Sequence, residues 1–262
     1  MKQKILITGG NGYLAASFKK TLGERYDITC VTRADFDLSD PIHTYEWFKT
    51  RHFDTVIHTA IVGGSRLNKE DHMVMQQNLL MYYNLLFHKK RFEKLITFGS
   101  GAELFGLHTP YGVSKKIISE SIRSTDNFYN LRIFGVFDEN ELNTRFIKTN
   151  ILRYIDHQPM IIHANKLMDF FYMKDLISLV EYYLTDSNPP KETNCSYAQK
   201  HTLTNIASMI NELSHYKVPI VVENADKFDV YCGDALNIPL HMIGLQQGII
   251  ETYAALTSSI EK

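Results

Sequence analysis

Cysteine and tryptophan are scarce, with three and one in 262 residues. Cys30, Cys195 and Cys232 are odd in number, far apart and without metal-ligand spacing. Neither a disulfide framework nor a metal site is expected, and reduced packing thiols in a cytoplasm are the natural reading. No charge of one sign dominates: 28 basic and 29 acidic side chains leave a formal net charge of -1. Without a basic block or tail, neither nucleic acid nor an anionic membrane surface is indicated as a partner. No apolar run approaches the roughly 18 to 20 residues that cross a bilayer, and the first residues enter a strand pattern directly, so a soluble protein is expected. Internal repeats and low-complexity tracts are also missing. The length allows one large domain, or a domain with a smaller lobe.

What is present is alternation. Short β-branched runs and helical periods follow one another through the first half, the pattern of a doubly wound α/β fold with a parallel sheet. Strands are expected at Lys4–Thr8, Ile28–Thr32, Phe36–Leu38, Thr55–Thr59, Leu95–Phe98 and Asn130–Phe134. Helices fall between them, at Leu14–Leu22, His43–Arg51, Met73–His88 and Tyr111–Ser124. The helix from Met73 is apolar around nearly its whole circumference, so it should be buried on all sides, with its outer face against a partner subunit. After Phe137 the alternation ends. A helix near Arg145–Ile155, a strand at Met160–His163, a helix at Lys174–Leu184, a strand at Cys195–Tyr197, a helix at Leu203–Leu213, a strand at Val218–Val222 and a last helix at Gly248–Leu256 suggest a smaller α/β lobe. The expected division is a dinucleotide-binding domain over 1–137 and a mainly substrate-binding lobe over 138–262, with segments near 164–200 returning to the sheet.

Ile5-Leu6-Ile7-Thr8-Gly9-Gly10-Asn11-Gly12-Tyr13-Leu14-Ala15 places glycines where a buried strand turns into a helix. Gly10-x-Gly12-x-x-Ala15 satisfies the dinucleotide fingerprint: glycines make the turn and admit a pyrophosphate to the helix N-terminus, and a small third residue lets helix and strand approach. Gly9, Gly10, Asn11, Gly12, Tyr13 and Leu14 are therefore cofactor-binding candidates. At the end of the second strand an acid would hold the ribose hydroxyls of NAD, and a base would accept the 2′-phosphate of NADP. Arg33 stands there, which favours NADP over NAD, the plain alternative being a solvated surface arginine. Asp37 and Leu38 are placed to meet the adenine.

Tyr111 and Lys115 lie one helical turn apart in Thr-Pro-Tyr-Gly-Val-Ser-Lys-Lys. At i and i+4 they share a helix face, and an ammonium there favours the phenolate of a tyrosine whose ordinary pKa of about 10 is too high for acid–base work at neutral pH. The spacing also occurs in helices where a tyrosine merely packs on a lysine stem. The glycine loop upstream supports the chemical reading.

With these motifs the chain resembles the extended short-chain dehydrogenase/reductase family, the nucleotide-sugar epimerases, dehydratases and reductases. The family's Thr-Gly-x-x-Gly-x-x-Gly is similar to Thr8, Gly9, Gly12 and Ala15, and its Tyr-x-x-x-Lys to Tyr111 and Lys115. Met168-Asp169-Phe170-Phe171-Tyr172-Met173-Lys174-Asp175-Leu176 resembles its Arg-Asp-Phe-x-Tyr-Val-x-Asp-Leu segment. Arg33, the Ala60-Ile61-Val62-Gly63-Gly64 turn and Phe98-Gly99-Ser100 look most like GDP-fucose synthases and nucleotide-sugar 4-ketoreductases.

The resemblance implies a Rossmann sheet and a nucleotide-diphosphate sugar as substrate, while the apolar helix from Met73 suggests a homodimer through the helices near 73–88 and 111–124. Tyr111 would be the proton donor, Lys115 its activator and Ser100 the hydroxyl that orients the sugar carbonyl. Counting back from Phe105-Gly106 would select Gly101 instead of Ser100. Thr59, Ala60, Ile61, Asn78, Phe98, Ile133 and Phe134 would border the cofactor, with Asn78 steadying the active-site strand. Gly64, Glu103, Arg145 and Lys148 are substrate candidates, Glu103 being otherwise an exposed loop acid. Three departures stand out. Ala102 and Arg145 occupy the places of the cysteine and histidine that carry 3,5-epimerisation, and arginine does not deprotonate; Met168 replaces an expected phosphate-binding arginine. The implied reaction is hydride transfer at C4 of a nucleotide-linked keto sugar. A 4-epimerase with tightly bound NAD and a non-catalytic cofactor-binding relative are the alternatives.

Overall fold

The computed structural model describes residues 2–64 and 69–260. In chain order the elements are β1 (Lys4–Thr8), α1 (Tyr13–Leu22), β2 (Asp27–Val31), α2 (Pro41–Phe48), β3 (Phe53–His58), α3 (His72–Phe87), β4 (Phe92–Ser100), α4 (Ala102–Phe105), α5 (Pro110–Arg123) and β5 (Phe128–Ile133). There follow β6 (Val136–Phe137), α6 (Phe146–Ile155), β7 (Met160–Met168), β8 (Phe171–Tyr172), α7 (Met173–Thr185), β9 (Glu192–Cys195), α8 (Leu203–Asn211), β10 (Ile220–Tyr231) and α9 (Leu245–Ile260).

Two compact units result, Met1–Arg132 with Val180–Thr193, and Ile133–Leu179 with Asn194–Lys262. The first is built on a six-stranded sheet in the order β2-β1-β3-β4-β5-β9. β1 pairs in parallel with β2 and β3, and β3 with β4. Leu6, Ile7, Val56, Ile57, Leu95 and Ile96 are all buried on these strands. Strands covered on both faces need such near-continuous apolar runs, which is why the period-2 alternation is missing. Leu6, Val56, Leu95, Tyr82, Leu85, Ile118 and Ile122 form one cluster between sheet and helices. The sequence also terminates its helices: Asp40 caps α2, Asp71 caps α3 and Thr109 caps α5, each accepting first-turn N–H groups.

The third expected strand, Phe36–Leu38, is not formed. Asp35 accepts the backbone and hydroxyl donors of Thr32, and Asp37 accepts both donors of Ser39. Two side-chain turns thus use the backbone that a strand would need, and β2 becomes the sheet edge. Phe36 and Leu38 still point into the core. The outer stripe of α3, with Met73, Leu80, Tyr83 and Phe87, is exposed in the single chain, so this helix is not buried on all sides.

In the second unit β7 pairs in parallel with β10, and β6 with β8. Ile147, Ile151, Met160, Ile162, Ile206, Ile210 and Ile249 form its core. β10 extends well beyond the expected Val218–Val222, because its distal half continues the ladder to β7 after a register shift between Asn224 and Phe228.

Candidate active site

β1 ends at Thr8 and the chain turns into α1 through Gly9, Gly10, Asn11 and Gly12. Gly9 has φ +71°, and a Cβ there would lie 2.7 Å from the backbone of Ala60. Only glycine allows β1 and the strand-3 loop to approach so closely. Gly10 N–H donates to Val31 O at 2.8 Å and Gly12 N–H to Gly9 O at 2.8 Å, which closes the turn. α1 has no side-chain cap at Gly12, and the N-terminus of a helix is where a pyrophosphate would be cradled. Ala15 is buried behind it. These residues fit a dinucleotide.

Arg33 is exposed in the turn after β2. Asp37 stands close enough to feel it: hydrogen bonds from Ser39, and more weakly the Arg33 charge, hold this carboxyl below its ordinary pKa. The Leu38 side chain is packed in the core with Phe36 and Phe48, and its carbonyl is held by Asn84 Nδ2 at 2.9 Å.

At the carboxyl ends of β3 and β4 the polar groups converge. Lys115 Nζ donates to Phe98 O at 2.5 Å and sits 5.7 Å from the centre of the Tyr111 ring. Desolvation lowers the Lys115 pKa to about 8, against the opposing pull of Glu103. His58, buried and bonded through Nδ1 to Thr8 Oγ1 at 2.8 Å, is pushed down to about 3 by desolvation and by Lys115. It is neutral at any working pH. Asn78 accepts Val62 N–H and donates to Val62 O, both at 2.9 Å, and also reaches Ser114 Oγ at 3.2 Å. It therefore ties the loop after β3 to α5. Thr59 Oγ1 donates to Thr8 O at 2.6 Å, Ala60 N–H reaches Thr8 Oγ1 at 3.4 Å, and Ile61 is exposed. Phe98 is buried and stacked on Phe18, so its contribution to the site is its carbonyl.

Ser100 ends β4. Its Oγ accepts Ala102 N–H at 3.2 Å and its N–H donates to Glu103 Oε1 at 3.0 Å. The short α4 that follows presses on the start of α5: a Cβ on Gly112 would lie 2.0 Å from Gly106 O and 2.9 Å from Ala102 O. This packing brings the serine turn and the tyrosine helix together. Glu103 is not an exposed loop acid. It is 1% exposed, accepts Arg132 Nε at 2.8 Å and takes both oxygens to Asn130 Nδ2. Beneath these residues lies a cavity of about 10 Å3, lined by His58, Asn78, Thr97, Glu103, Lys115 and Asn130 among others. It has room for about one water and none for a ligand.

Gly64, with φ +75°, lies over the Tyr111 ring, and its N–H is taken by Glu70 Oε1 at 2.6 Å. Sequence reasoning missed Glu70, Ser114 and Arg132; no motif spacing links Glu70 to Tyr111, 41 residues away.

The remaining candidates belong to the second unit. Ile133 begins it, and Phe134 meets Tyr231 edge-on at 5.6 Å. Arg145 is exposed at the N-cap of α6. Lys148 Nζ donates to Glu141 O at 2.8 Å, and its N–H to Glu141 Oε1 at 3.2 Å. Glu141 is buried, which raises its pKa to about 8. Asp169 accepts Ser196, Lys200 and Gly233, and Asp175 accepts Tyr197, Ile243 and Gly244. Both acids are thus structural anchors. Among the described residues no helix is long and apolar enough to cross a membrane, and no cluster of three metal-ligating side chains occurs.

Solved structures show the same fold at low identity. A GDP-mannoheptose C4 reductase from Campylobacter jejuni with NADP bound has a TM-score of 0.79 at 15% identity, over 98% of each chain. A GDP-L-fucose synthetase from Naegleria fowleri bound to NADP reaches 0.77 at 16%, over 99% of this chain and 94% of that one. A UDP-N-acetylglucosamine 4-epimerase from Methanobrevibacter ruminantium in complex with UDP-N-acetylmuramic acid reaches 0.79 at 17%, over 99% and 100%. No curated protein sequence matches significantly. The sequence profile of the NAD dependent epimerase/dehydratase family matches residues 5–196, well over half of the chain, and the protein belongs to that family of enzymes, whose chemistry runs on a nicotinamide dinucleotide.

Proposed function

We propose that the protein is an NAD(P)H-dependent reductase of a nucleotide-linked keto sugar, acting at C4. The observation that carries this reading is the Tyr111–Lys115 pair, with Lys115 Nζ anchored on Phe98 O and 5.7 Å from the Tyr111 ring centre. When bound, the nicotinamide supplies the hydride that goes to the carbonyl carbon. Tyr111 gives its phenolic proton to the carbonyl oxygen as charge develops there, and the Lys115 ammonium stabilises the phenolate left behind. Ser100 is read as the hydroxyl that orients the carbonyl. Gly9, Gly10, Gly12 and the first turn of α1 hold the pyrophosphate, and exposed Arg33 favours the 2′-phosphate of NADP. Ala102 and Arg145 offer no proton shuttle at neutral pH, which argues against 3,5-epimerisation. A second reading, a 4-epimerase with tightly held NAD, uses the same residues. The solved 4-epimerase of the same fold keeps that alternative in view.

The test is cofactor oxidation at 340 nm across a panel of UDP-, GDP- and dTDP-linked 4-keto sugars. The reductase reading expects turnover with NADPH faster than with NADH, and Tyr111→Phe to lower kcat by about 10²-fold or more. Purified protein that carries nicotinamide through gel filtration and ignores added NADPH supports the epimerase instead. Unchanged oxidation in Tyr111→Phe would exclude the tyrosine as proton donor.

A further inference from the structure

Two successive acids precede α3, and they serve two different helices. Asp71 caps α3 itself, accepting Met73 N–H at 2.9 Å. Glu70 reaches across to α5: Oε2 accepts the N–H of Tyr111 at 3.1 Å, while Oε1 accepts the N–H of Gly64 at 2.6 Å. Tyr111 is the second residue of α5, so its N–H is one of the four that a helix cannot satisfy internally. Thr109 takes the next one, from Gly112, at 3.0 Å. A carboxylate at this end of a helix is also favoured by the macrodipole.

The far end of this bridge matters most. Gly63 and Gly64 both have positive φ, +81° and +75°. A Cβ on Gly64 would fall 2.9 Å from Cζ of Tyr111, the ring carbon that bears the hydroxyl. The turn therefore lies directly on the phenol end of the tyrosine ring. Its other side is pinned by Asn78, which holds both the N–H and the carbonyl of Val62. Asn78 fixes where the turn begins, and Glu70 fixes where it meets the tyrosine.

We propose that Glu70 is a positioning residue for the reaction: its carboxylate straps the Gly63–Gly64 turn onto the Tyr111 ring and so fixes the direction in which the hydroxyl points. The catalytic consequence rests on the reductase reading above, whereas the strap itself does not. A proton donor held in one orientation has its reaction geometry prepared in advance, and modest misplacement of such a group is costly. The same contact makes Gly64 irreplaceable, since any side chain would meet the ring as well as an unfavourable backbone angle. It also occupies the Gly64 amide, which is then not a free donor for substrate.

Amide hydrogen exchange and steady-state kinetics on Glu70→Ala and Glu70→Gln test this. In Glu70→Ala the amides of Gly64 and Tyr111 should exchange about tenfold faster or more, with the melting temperature within about 3 °C of the parent. kcat for the keto sugar should fall by about tenfold or more while the KM for the cofactor stays within about twofold. Glu70→Gln, which keeps an oxygen that can accept one of the two amides, should recover part of both losses. Unchanged exchange and unchanged kcat in folded Glu70→Ala would overturn the proposal. So would a loss of kcat that tracks a fall in melting temperature and a rise in cofactor KM, without recovery in Glu70→Gln. If exchange responds as expected but the unsubstituted protein reduces no keto sugar, the strap stands and the reductase reading fails.

Discussion

Lys115 carries a conflict at the scale of a single residue. The proposed role needs an ammonium, yet desolvation lowers its pKa from 10.5 to about 8. Glu103 opposes that shift without cancelling it, and Phe98 O accepts the ammonium at 2.5 Å. Because the folded-state pKa lies below the ordinary value, the unfolded chain binds a proton between pH 8 and 10.5 that the folded chain has released. The lysine therefore costs stability at neutral pH, and that cost is relieved as pH rises through this window. Activity should move the other way. kcat/KM should fall on the alkaline side with an apparent pKa near 8, as the free enzyme loses the charge that supports the phenolate. Lys115→Met should lower kcat/KM by about 10²-fold or more and remove that limb. A pH profile flat to pH 10 would show that Lys115 does not act through its charge. His58 cannot supply the missing proton, because a pKa of about 3 leaves it neutral throughout this range.

Among elements, the junction of β4, α4 and β5 depends on one buried ion pair. Glu103 lies beneath the Ser100 turn and accepts from Ser100 N–H, while Arg132 on β5 donates to it at 2.8 Å. Arg132 continues to Glu192 on β9 at 3.2 Å, and Glu192 to Arg123 at the end of α5 at 2.8 Å. Removing Arg132 leaves a carboxylate at 1% exposure without its strongest partner. Arg132→Met should therefore destabilise the protein by about 3–5 kcal/mol in urea unfolding, and Glu103→Gln in that background should restore part of the loss. A change below about 0.5 kcal/mol would mean that the pair is dispensable.

This junction also shows what a sequence conceals. The strand–glycine–helix unit at Ile5–Ala15 is local, and local patterns are readable. Phe36–Leu38 has the alternation of a strand, but its acids find turn donors two or three residues away, and that competition outweighs the pattern. Glu103 looked like an ordinary loop acid, because the arginine that buries it lies 29 residues downstream on another strand. Glu70 is the same kind of case, its two partners being a glycine amide and an amide 41 residues away. Backbone amides leave no trace in composition. The glycine turn into α1 and the helix that carries Tyr111 and Lys115 were therefore legible, and the residues that hold them in place were not.

For the whole molecule, the apolar character of α3 still has to be explained. Val74, Met81, Tyr82 and Leu85 face the core, and α3 packs on α5. Met73, Leu80, Tyr83 and Phe87 form a second stripe on the opposite side, with Phe87 79% exposed, and Ile117 of α5 is also exposed. Lys116 and Glu120 of α5 form an ion pair at 2.6 Å, and Arg123 joins Glu120 at 3.0 Å. An apolar stripe with charges nearby suits an interface, and a two-fold axis between two copies makes one such surface complementary to itself. The proposed homodimer would pair α3 and α5 of one protomer with the same helices of its partner, leaving β1, the glycine loop and Tyr111 within each copy. Light scattering at micromolar concentration should give about twice the 30.3 kDa of the single chain. Leu80→Glu with Tyr83→Glu places two charges in the centre of the stripe and should yield folded monomer, since unpaired charges cannot be buried there without several kcal/mol of penalty. A parent protein already at 30.3 kDa would remove the homodimer. A parent dimer that survives both glutamates would move the interface to another face.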